Sequence, residues 1–235
     1  MMKKQSVPLF ENMYFNPDKR LIKHNLRYND LEHFNTKELG ESVFGNNPLT
    51  KIIAKYYGIK PGNVTIIQGG GSNANFHVFY TLLTQEESSK ILVEDPSYEP
   101  LFCVPKRFNA EVVRFKRRWE DKFQPNIEEI LEQIDDKTKA IVMTNTHYVS
   151  GVRLNDNILD NLIKEAEKKG FYLFFDEAYH DPFRAKEIKP IASLSKNGIS
   201  TYTLTKMYGL STLRFGLIAA NEEFNKELMR AIFTT

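Results

Sequence analysis

Lys206 is the side chain whose surroundings best suit a nucleophile. It follows a strand-like apolar stretch, 200–204, and stands between Thr205 and the nearby Tyr208. Such surroundings partly desolvate an ammonium group, which lowers the pKa of a lysine and frees its neutral amine to attack a carbonyl. Arg214 follows, and its planar guanidinium suits a phosphate group. A surface lysine whose stem lies along the protein is the alternative interpretation of Lys206.

A carboxylate and a phenol follow another apolar run. Residues 171–175 are apolar throughout and lead into Asp176, and Tyr179 comes shortly after. A carboxylate at the end of a buried strand must be exposed or pair with a cation, so Asp176 is a candidate partner for a positively charged group. Acidic residues that merely favour a helix N-terminus are the alternative.

Two further segments have the composition of ligand-binding loops. Three glycines, 69–71, lie between a predicted strand and a predicted helix, and we expect Ser72 to cap that helix. Glycines let the backbone approach an anion, and the N–H groups at a helix start can bind it. A plain strand-to-helix turn explains the glycines equally well. The second segment is 145–151, a polar loop after another apolar run.

Short apolar runs alternate with amphipathic stretches and must position these residues. Apolar strands separated by helices indicate a mostly parallel sheet buried on both faces, and such sheets bind ligands at the carboxyl ends of their strands. We therefore expect the candidate residues to converge. The predicted strands are 64–67, 90–94, 111–115, 139–144, 171–175, 200–204 and 214–219, and the predicted helices are 49–57, 72–84, 125–135 and 156–169.

Composition narrows the class of protein. The 235 residues, 41% hydrophobic and 26% charged, are typical of a globular protein with one sizeable domain. A net charge of +2 gives no reason to expect nucleic acid or an anionic membrane as a partner. The single cysteine excludes an intrachain disulfide, and no segment approaches membrane-spanning length, so we expect a cytoplasmic protein. The five histidines show no metal-binding spacing, although His147 and His180 are expected near the site.

In order and spacing, these segments resemble the class I and II aminotransferases, which are fold-type I enzymes that use pyridoxal 5′-phosphate (PLP). That family has a glycine-rich phosphate turn, an Asn-Pro-x-Asn-Pro-Thr/Ser-Gly loop, an Asp-x-x-Tyr pair and a Ser/Thr-x-Ser/Thr-Lys segment followed by an arginine. The likeness runs from about residue 40 to the end. It implies an α/β fold, three-layer α/β/α with a mostly parallel seven-stranded sheet, in which an N-terminal arm (1–45) precedes a PLP-binding large domain (46–235).

The resemblance also implies a role for each residue. Lys206 would form the Schiff base with PLP and later move the substrate's proton. Asp176 would pair with the pyridine nitrogen, Tyr179 would donate to the phenolic oxygen of the ring, and Tyr98 would stack on the ring face. The other implied cofactor-binding residues are Gly70, Gly71, Ser72, Thr203 and Arg214, grouped at the phosphate, and Asn145 and Tyr148 in the polar loop.

Three features depart from the family pattern. Tyr148 and Val149 stand where the family has its second Asn-Pro, and Phe44 stands where a tyrosine of the family reaches the partner subunit's phosphate. The sequence ends at Thr235, before the small domain that carries the family's arginine for the substrate carboxylate. We therefore expect this chain to bind the cofactor but to lack that clamp.

The function implied by the resemblance is a homodimeric, PLP-dependent aminotransferase that acts on an amino acid and a 2-oxo acid. A PLP-dependent lyase or decarboxylase of the same fold is the alternative, because residues that bind the cofactor do not by themselves choose the reaction. A truncated, non-catalytic PLP-binding module is a further alternative, consistent with the expected lack of a small domain.

Overall fold

A computed structural model describes residues 48–84, 88–180 and 188–234, in which strands and helices alternate. The strands are β1 (Val64–Gln68), β2 (Lys90–Asp95), β3 (Glu111–Lys116), β4 (Thr138–Thr144), β5 (Tyr172–Asp176), β6 (Gly198–Tyr202) and β7 (Phe215–Ala219). The helices are α1 (Pro48–Tyr57), α2 (Gly71–Leu83), α3 (Pro100–Cys103), α4 (Ile127–Leu131), α5 (Asp156–Lys169), α6 (Ile191–Leu194), α7 (Leu204–Tyr208) and α8 (Glu222–Thr234).

The seven strands of the described residues form one sheet in the order β1-β7-β6-β5-β4-β2-β3. β2 pairs in parallel with β3 and β4, β4 with β5, and β5 with β6. β7 runs antiparallel to both of its neighbours, β1 and β6. The predicted mostly parallel, seven-stranded sheet is confirmed. The carboxyl ends of β2, β4, β5 and β6 meet at one edge, where sheets of this kind hold their ligands.

Helices cover both faces of the sheet because its strands are apolar on both sides. On β2, Ile91 and Val93 pack into the core beneath α2 and α8, whereas Leu92 between them packs beneath α5. Successive side chains of a strand point to opposite faces, so one uninterrupted apolar run serves two cores. α1 packs against β6 and β7 through a cluster that includes Tyr57 and Tyr202. This arrangement is the predicted three-layer α/β/α architecture.

Helix ends follow local capping. Asn155 caps α5 with its side chain and Gly170 ends that helix with a φ of 84°, so the predicted helix 156–169 is confirmed. The predicted helix 125–135 is wrong in its extent. The side chain of Asn126 accepts hydrogen bonds from the N–H groups of Glu128 and Glu129 in α4, which begins after this cap and is only five residues long.

The predicted N-terminal arm, 1–45, lies outside the described residues, and so does Phe44. Its boundary with the large domain therefore stays a prediction. Within the described ranges, no helix is both long enough and apolar enough to cross a membrane.

Candidate active site

Two hydrogen bonds connect the glycine turn between β1 and α2 to Arg214, one to its side chain and one to its backbone. Nη2 of Arg214 donates to the carbonyl of Gly69 at 2.7 Å, and the N–H of Gly70 donates to the carbonyl of Arg214 at 2.8 Å. Gly70 has a φ of 83°, and a Cβ there would lie 2.9 Å from Nη2 of Arg214. Only glycine fits this position, because it tolerates the positive φ and has no Cβ that would clash with the Arg214 guanidinium.

Two boundaries at this turn differ from the prediction. α2 begins at Gly71, so its N-cap is Gly70, and the prediction that Ser72 caps the helix is wrong. The positive φ of Gly70 turns the chain directly into the helix, which leaves Ser72 inside the first turn. The predicted strand 214–219 includes Arg214, but this residue has a φ of 47° and precedes β7.

Lys206 lies on a short helix, α7, and not at the end of a strand. β6 stops at Tyr202, and Thr203 then caps α7 by accepting a hydrogen bond from the N–H of Thr205. A hydroxyl residue competes in this way with the strand ladder, which is why the predicted strand 200–204 ends early. A Cβ on Gly71 would lie 3.3 Å from Cβ of Thr203, so α7 starts against the glycine turn. Lys206 is half-buried.

Asp176 is the last residue of β5 and is held by two donors. Its Oδ2 accepts a hydrogen bond from Nδ2 of Asn75 at 2.7 Å, and its Oδ1 accepts one from the N–H of Ala178 at 3.0 Å. The amide oxygen of Asn75 accepts in turn from Oγ1 of Thr201 at 2.6 Å. Burial raises the pKa of Asp176, the Asn75 and Ala178 donors oppose that rise, and the nearby Glu177 carboxylate adds to it.

Three tyrosines form a row along the same edge of the sheet. The ring centroids of Tyr98 and Tyr148 are 5.6 Å apart, and those of Tyr148 and Tyr179 are 6.1 Å apart. The hydroxyls of Tyr98 and Ser72 lie 3.2 Å from each other, which joins the row to the first turn of α2. Burial raises the pKa of Tyr148, so this phenol stays neutral and able to donate.

The loop after β4 carries Asn145 and Tyr148. The N–H of Asn145 donates to the carbonyl of Asp176 at 3.3 Å, and its side-chain oxygen accepts from the N–H of Leu154 at 3.1 Å. The N–H of Tyr148 donates to Oγ1 of Thr144 at 2.7 Å. These bonds hold the loop at the end of β5, beside Asp176.

His147 belongs to this loop, and its side chain is buried with both ring nitrogens bound. Nε2 donates to the carbonyl of Pro96 at 2.9 Å, and Nδ1 accepts from the hydroxyl of Ser150 at 2.8 Å, an assignment that follows from the carbonyl being only an acceptor. Burial lowers the pKa of His147 to about 4. His180, also expected near the site, is buried with Nδ1 3.9 Å from the Glu177 carboxylate.

The model of one protein family, "Aminotransferase class I and II", matches residues 7–232. The chain belongs to this family. An aspartate aminotransferase of Pyrococcus horikoshii is 28% identical over 180 residues, which cover 75% of this chain and 45% of that protein. A histidinol-phosphate aminotransferase of Haemophilus influenzae is 29% identical over 186 residues, or 77% of this chain and 49% of that protein.

A solved structure shows the same fold. The PLP-dependent aminotransferase from Streptococcus suis superposes with a TM-score of 0.74 at 27% identity, and the match covers 85% of this chain and 54% of that one. This member of the aminotransferase family thus spans about half the length of the relatives that it matches.

Aminotransferases of this class depend on PLP, and the residues present fit that cofactor at both ends. A Cβ at Gly70 would contact Arg214, and a Cβ at Gly71 would contact Thr203. The glycine backbone, the Arg214 guanidinium and the Thr203 side chain therefore lie together and form the phosphate cradle. The first turn of a helix adds N–H groups and a positive dipole end, which suit the phosphate. At the other end, the Asp176 carboxylate has the charge that a positively charged ring nitrogen would need.

Sequence reasoning missed Asn75 and Glu94 in this member of the family. Asn75 is 2% exposed on the apolar face of α2, between the buried Ala74 and Val78. Glu94 is fully buried near the end of an apolar strand. In both cases the signal is a polar residue within a run that is otherwise apolar, since such a residue needs a partner in the interior.

Proposed function

We propose that this chain is the PLP-binding part of an aminotransferase that moves the amino group of an amino acid to a 2-oxo acid. The observation that carries the proposal is the placement of two opposite charges at one edge of the sheet. The Arg214 guanidinium sits on the glycine turn, and the Asp176 carboxylate is held by Asn75 at the end of β5. Membership of the family supports the same reaction.

The chemistry of PLP is that of an electron sink for the α carbon of the amino acid. Nζ of Lys206 would bind the cofactor's aldehyde. Once released, it would act as the base that moves the substrate's proton from the α carbon. Asp176 would keep the ring nitrogen positively charged. The hydroxyls of Tyr148 and Tyr179 would donate to the phenolic oxygen, and the ring of Tyr98 would cover one face of the cofactor.

The phosphate would be held by the cradle described above. It comprises Gly70, Gly71, Ser72, Thr203 and Arg214, and Asn145 would complete the site from the loop after β4. Tyr148 stands where the family has an asparagine, and its neutral phenol retains one donor of the two that an amide offers. The Tyr148 hydroxyl would then donate to the phenolic oxygen of the cofactor in place of the asparagine amide, from a side chain that is longer and aromatic.

We also propose a homodimer in the cytoplasm. α1 exposes Leu49, Ile52 and Tyr56, whose exposed fractions are 37%, 47% and 56%. Neighbouring apolar side chains on one helix face favour association with another surface. Light scattering on the purified protein should give twice the chain mass, and a monomer that binds PLP tightly would contradict the dimer.

The cofactor proposal is tested by absorbance of the purified protein with added PLP. The lysine-bound cofactor should give a near-ultraviolet or visible band, and borohydride reduction with peptide mapping should find the modification on Lys206. Lys206→Ala should abolish the band. Lys226→Ala is the matched control, because this exposed lysine pairs with Glu222 on α8 and should leave the band intact. A band that survives Lys206→Ala would place the attachment elsewhere.

The reaction is tested with a panel of amino acids and 2-oxo acids. An aminotransferase converts one pair into the other with no net release of ammonia or carbon dioxide. Release of either product without any need for a 2-oxo acid would instead support the lyase or decarboxylase alternative. Tight PLP binding with no turnover of any amino acid by the purified protein would support a non-catalytic module.

A further inference from the structure

A buried ion pair lies directly beneath the candidate cofactor site. Nη1 of Arg117 is 2.8 Å from Oε2 of Glu94, and both side chains have an exposed fraction of 0%. Moving two charges out of water is costly, and apolar residues of similar volume often stabilise a fold at least as well. The pair therefore calls for an explanation other than stability.

The second oxygen of Glu94 is bound to the end of β4. Oε1 accepts from the backbone N–H of Thr144 at 2.6 Å and from its hydroxyl at 2.5 Å. The paired register of β2 and β4 ends before this point, at Val93 and Val142. Beyond the paired register, the carboxylate of Glu94 thus connects the ends of the two strands where the site begins.

The pair reaches the loop after β4 by two routes. Oγ1 of Thr144 donates to Glu94 and accepts from the N–H of Tyr148 at 2.7 Å, so one hydroxyl connects the carboxylate to Tyr148. On the other side, Nε of Arg117 donates to the carbonyl of Phe123 at 2.6 Å. The ring of Phe123 lies 5.6 Å from that of His147, in the middle of the same loop.

We propose that Glu94 and Arg117 are positioning residues, which hold residues 144–148 so that Asn145 and Tyr148 present their side chains to PLP. The proposal rests on the proposed function. It assigns the pair no contact with the cofactor or the substrate. Glu94 suits this role because one carboxylate oxygen accepts from both the backbone N–H and the hydroxyl of Thr144 at the end of β4.

The test compares two double variants. Glu94→Met with Arg117→Met replaces the pair by apolar volume and removes the acceptor for Thr144. Glu94→Gln with Arg117→Met also removes both charges, but the amide oxygen can still accept from Thr144. A purely structural pair predicts equal behaviour of the two variants wherever both fold. A positioning pair predicts that the glutamine variant keeps the loop better ordered than the methionine pair, because it retains an acceptor for Thr144 although it has lost the bond from Arg117 to Phe123.

Three measurements are made on each protein. They are the urea midpoint, amide hydrogen exchange of residues 144–150 without cofactor, and the affinity and absorbance spectrum of bound PLP. We expect exchange in the loop of the methionine pair to accelerate and its PLP affinity to fall about tenfold, as for loss of a hydrogen bond to a charged group. The urea midpoint shows how far the whole fold is weakened, because this variant leaves the N–H and hydroxyl of Thr144 without an acceptor. The glutamine variant should recover part of the loop protection and of the affinity, and the remaining loss reports the contact of Arg117 with Phe123.

Thr144→Val provides a second test, because this variant leaves the ion pair of Glu94 and Arg117 in place. It removes only the hydroxyl that links Glu94 to Tyr148, so the N–H of Tyr148 should exchange faster and the spectrum of bound PLP should shift. Asp135→Asn is the control, because it breaks the Lys90–Asp135 pair at the opposite end of β2, where Nζ and Oδ2 are 2.6 Å apart. That variant should change neither loop exchange nor the spectrum.

Wild-type loop exchange and PLP affinity in the methionine pair would overturn the proposal, and so would an unchanged loop in Thr144→Val. If the wild-type protein fails to take up PLP through Lys206, the proposed function fails instead. The exchange measurement needs no cofactor and then still decides whether the pair holds the loop.

Discussion

Asn75 donates a 2.7 Å hydrogen bond from Nδ2 to Oδ2 of Asp176, from a helix to the end of a strand 101 residues away. Oγ1 of Thr201 donates to Oδ1 of Asn75 at 2.6 Å. This bond fixes the orientation of the Asn75 amide, so that Nδ2 faces the Asp176 carboxylate. Asn75 therefore sets the rotation of the Asp176 carboxylate and leaves its remaining lone pairs for a ligand.

Replacing Asn75 should raise the pKa of Asp176 further, because the amide is the largest influence that opposes burial. Asn75→Leu keeps a similar volume and removes the donor, so the free energy of unfolding at pH 7 should fall by about 2 kcal/mol. Urea unfolding measures this loss, and carbon NMR of the carboxylate measures the pKa.

Thr201→Val is the matched control for Asn75→Leu. It keeps Asn75 and removes only the hydroxyl that orients it, so its effects on the stability and on the pKa of Asp176 should be smaller. The reverse order of the two variants would show that Asn75 does not hold the carboxylate.

Asp176→Asn should leave PLP bound but slow turnover. The amide has nearly the same shape, but it carries no charge to keep the ring nitrogen protonated. The expected loss in kcat is a hundredfold or more, on the order of the 3–5 kcal/mol that breaking a buried charge pair costs. Steady-state kinetics with PLP affinity measured in parallel would separate rate from binding, and near-normal turnover would refute this role of Asp176.

Gly70→Ala should weaken phosphate binding, whereas Gly170→Ala should not. The two glycines have φ values of 83° and 84°, but a Cβ at Gly70 meets the Arg214 guanidinium and one at Gly170 meets no atom within 4 Å. Both variants should lose on the order of 1–2 kcal/mol of stability through the positive φ. Only Gly70→Ala should also lower PLP affinity, as equilibrium titration would show; equal affinities would argue against the cradle.

His147 should make the fold sensitive to acid. Burial lowers its folded-state pKa from 6.5 to about 4, so between these pH values the folded protein binds fewer protons than the unfolded chain. The stability from keeping His147 neutral is fully present above pH 6.5 and is lost as the pH falls. The total loss, reached below pH 4, amounts to about 3 kcal/mol.

His147→Gln tests this pH dependence, because glutamine can donate to Pro96 and accept from Ser150 without titrating. Urea unfolding of both proteins at pH 7 and at pH 4.5 gives the difference. The variant should lose less stability between the two pH values than the wild type, even if it is less stable at pH 7. Parallel losses would show that His147 does not titrate in this range.

The central strands were predictable because apolar runs such as those of β4 and β5 are a local feature of the sequence. β5 shows this best: the prediction of 171–175 differs from the observed strand, Tyr172–Asp176, by one residue at each end. Boundary predictions failed where a side-chain cap or a positive φ, and not the apolar pattern, decides where an element begins or ends. Thr203 ends β6 by capping α7, and Gly70 starts α2 ahead of Ser72.

The sequence by itself determined the fold class, the family and the set of polar residues that follow the strands. Only the tertiary structure decided how those residues are held. Glu94 binds Thr144 across 50 positions of the chain, His147 binds Pro96 across 51, and Asn75 binds Asp176 across 101. Apolar periodicity states that a position is buried, but a buried polar group needs one specific partner, and the packing of separate elements alone brings that partner within hydrogen-bonding distance.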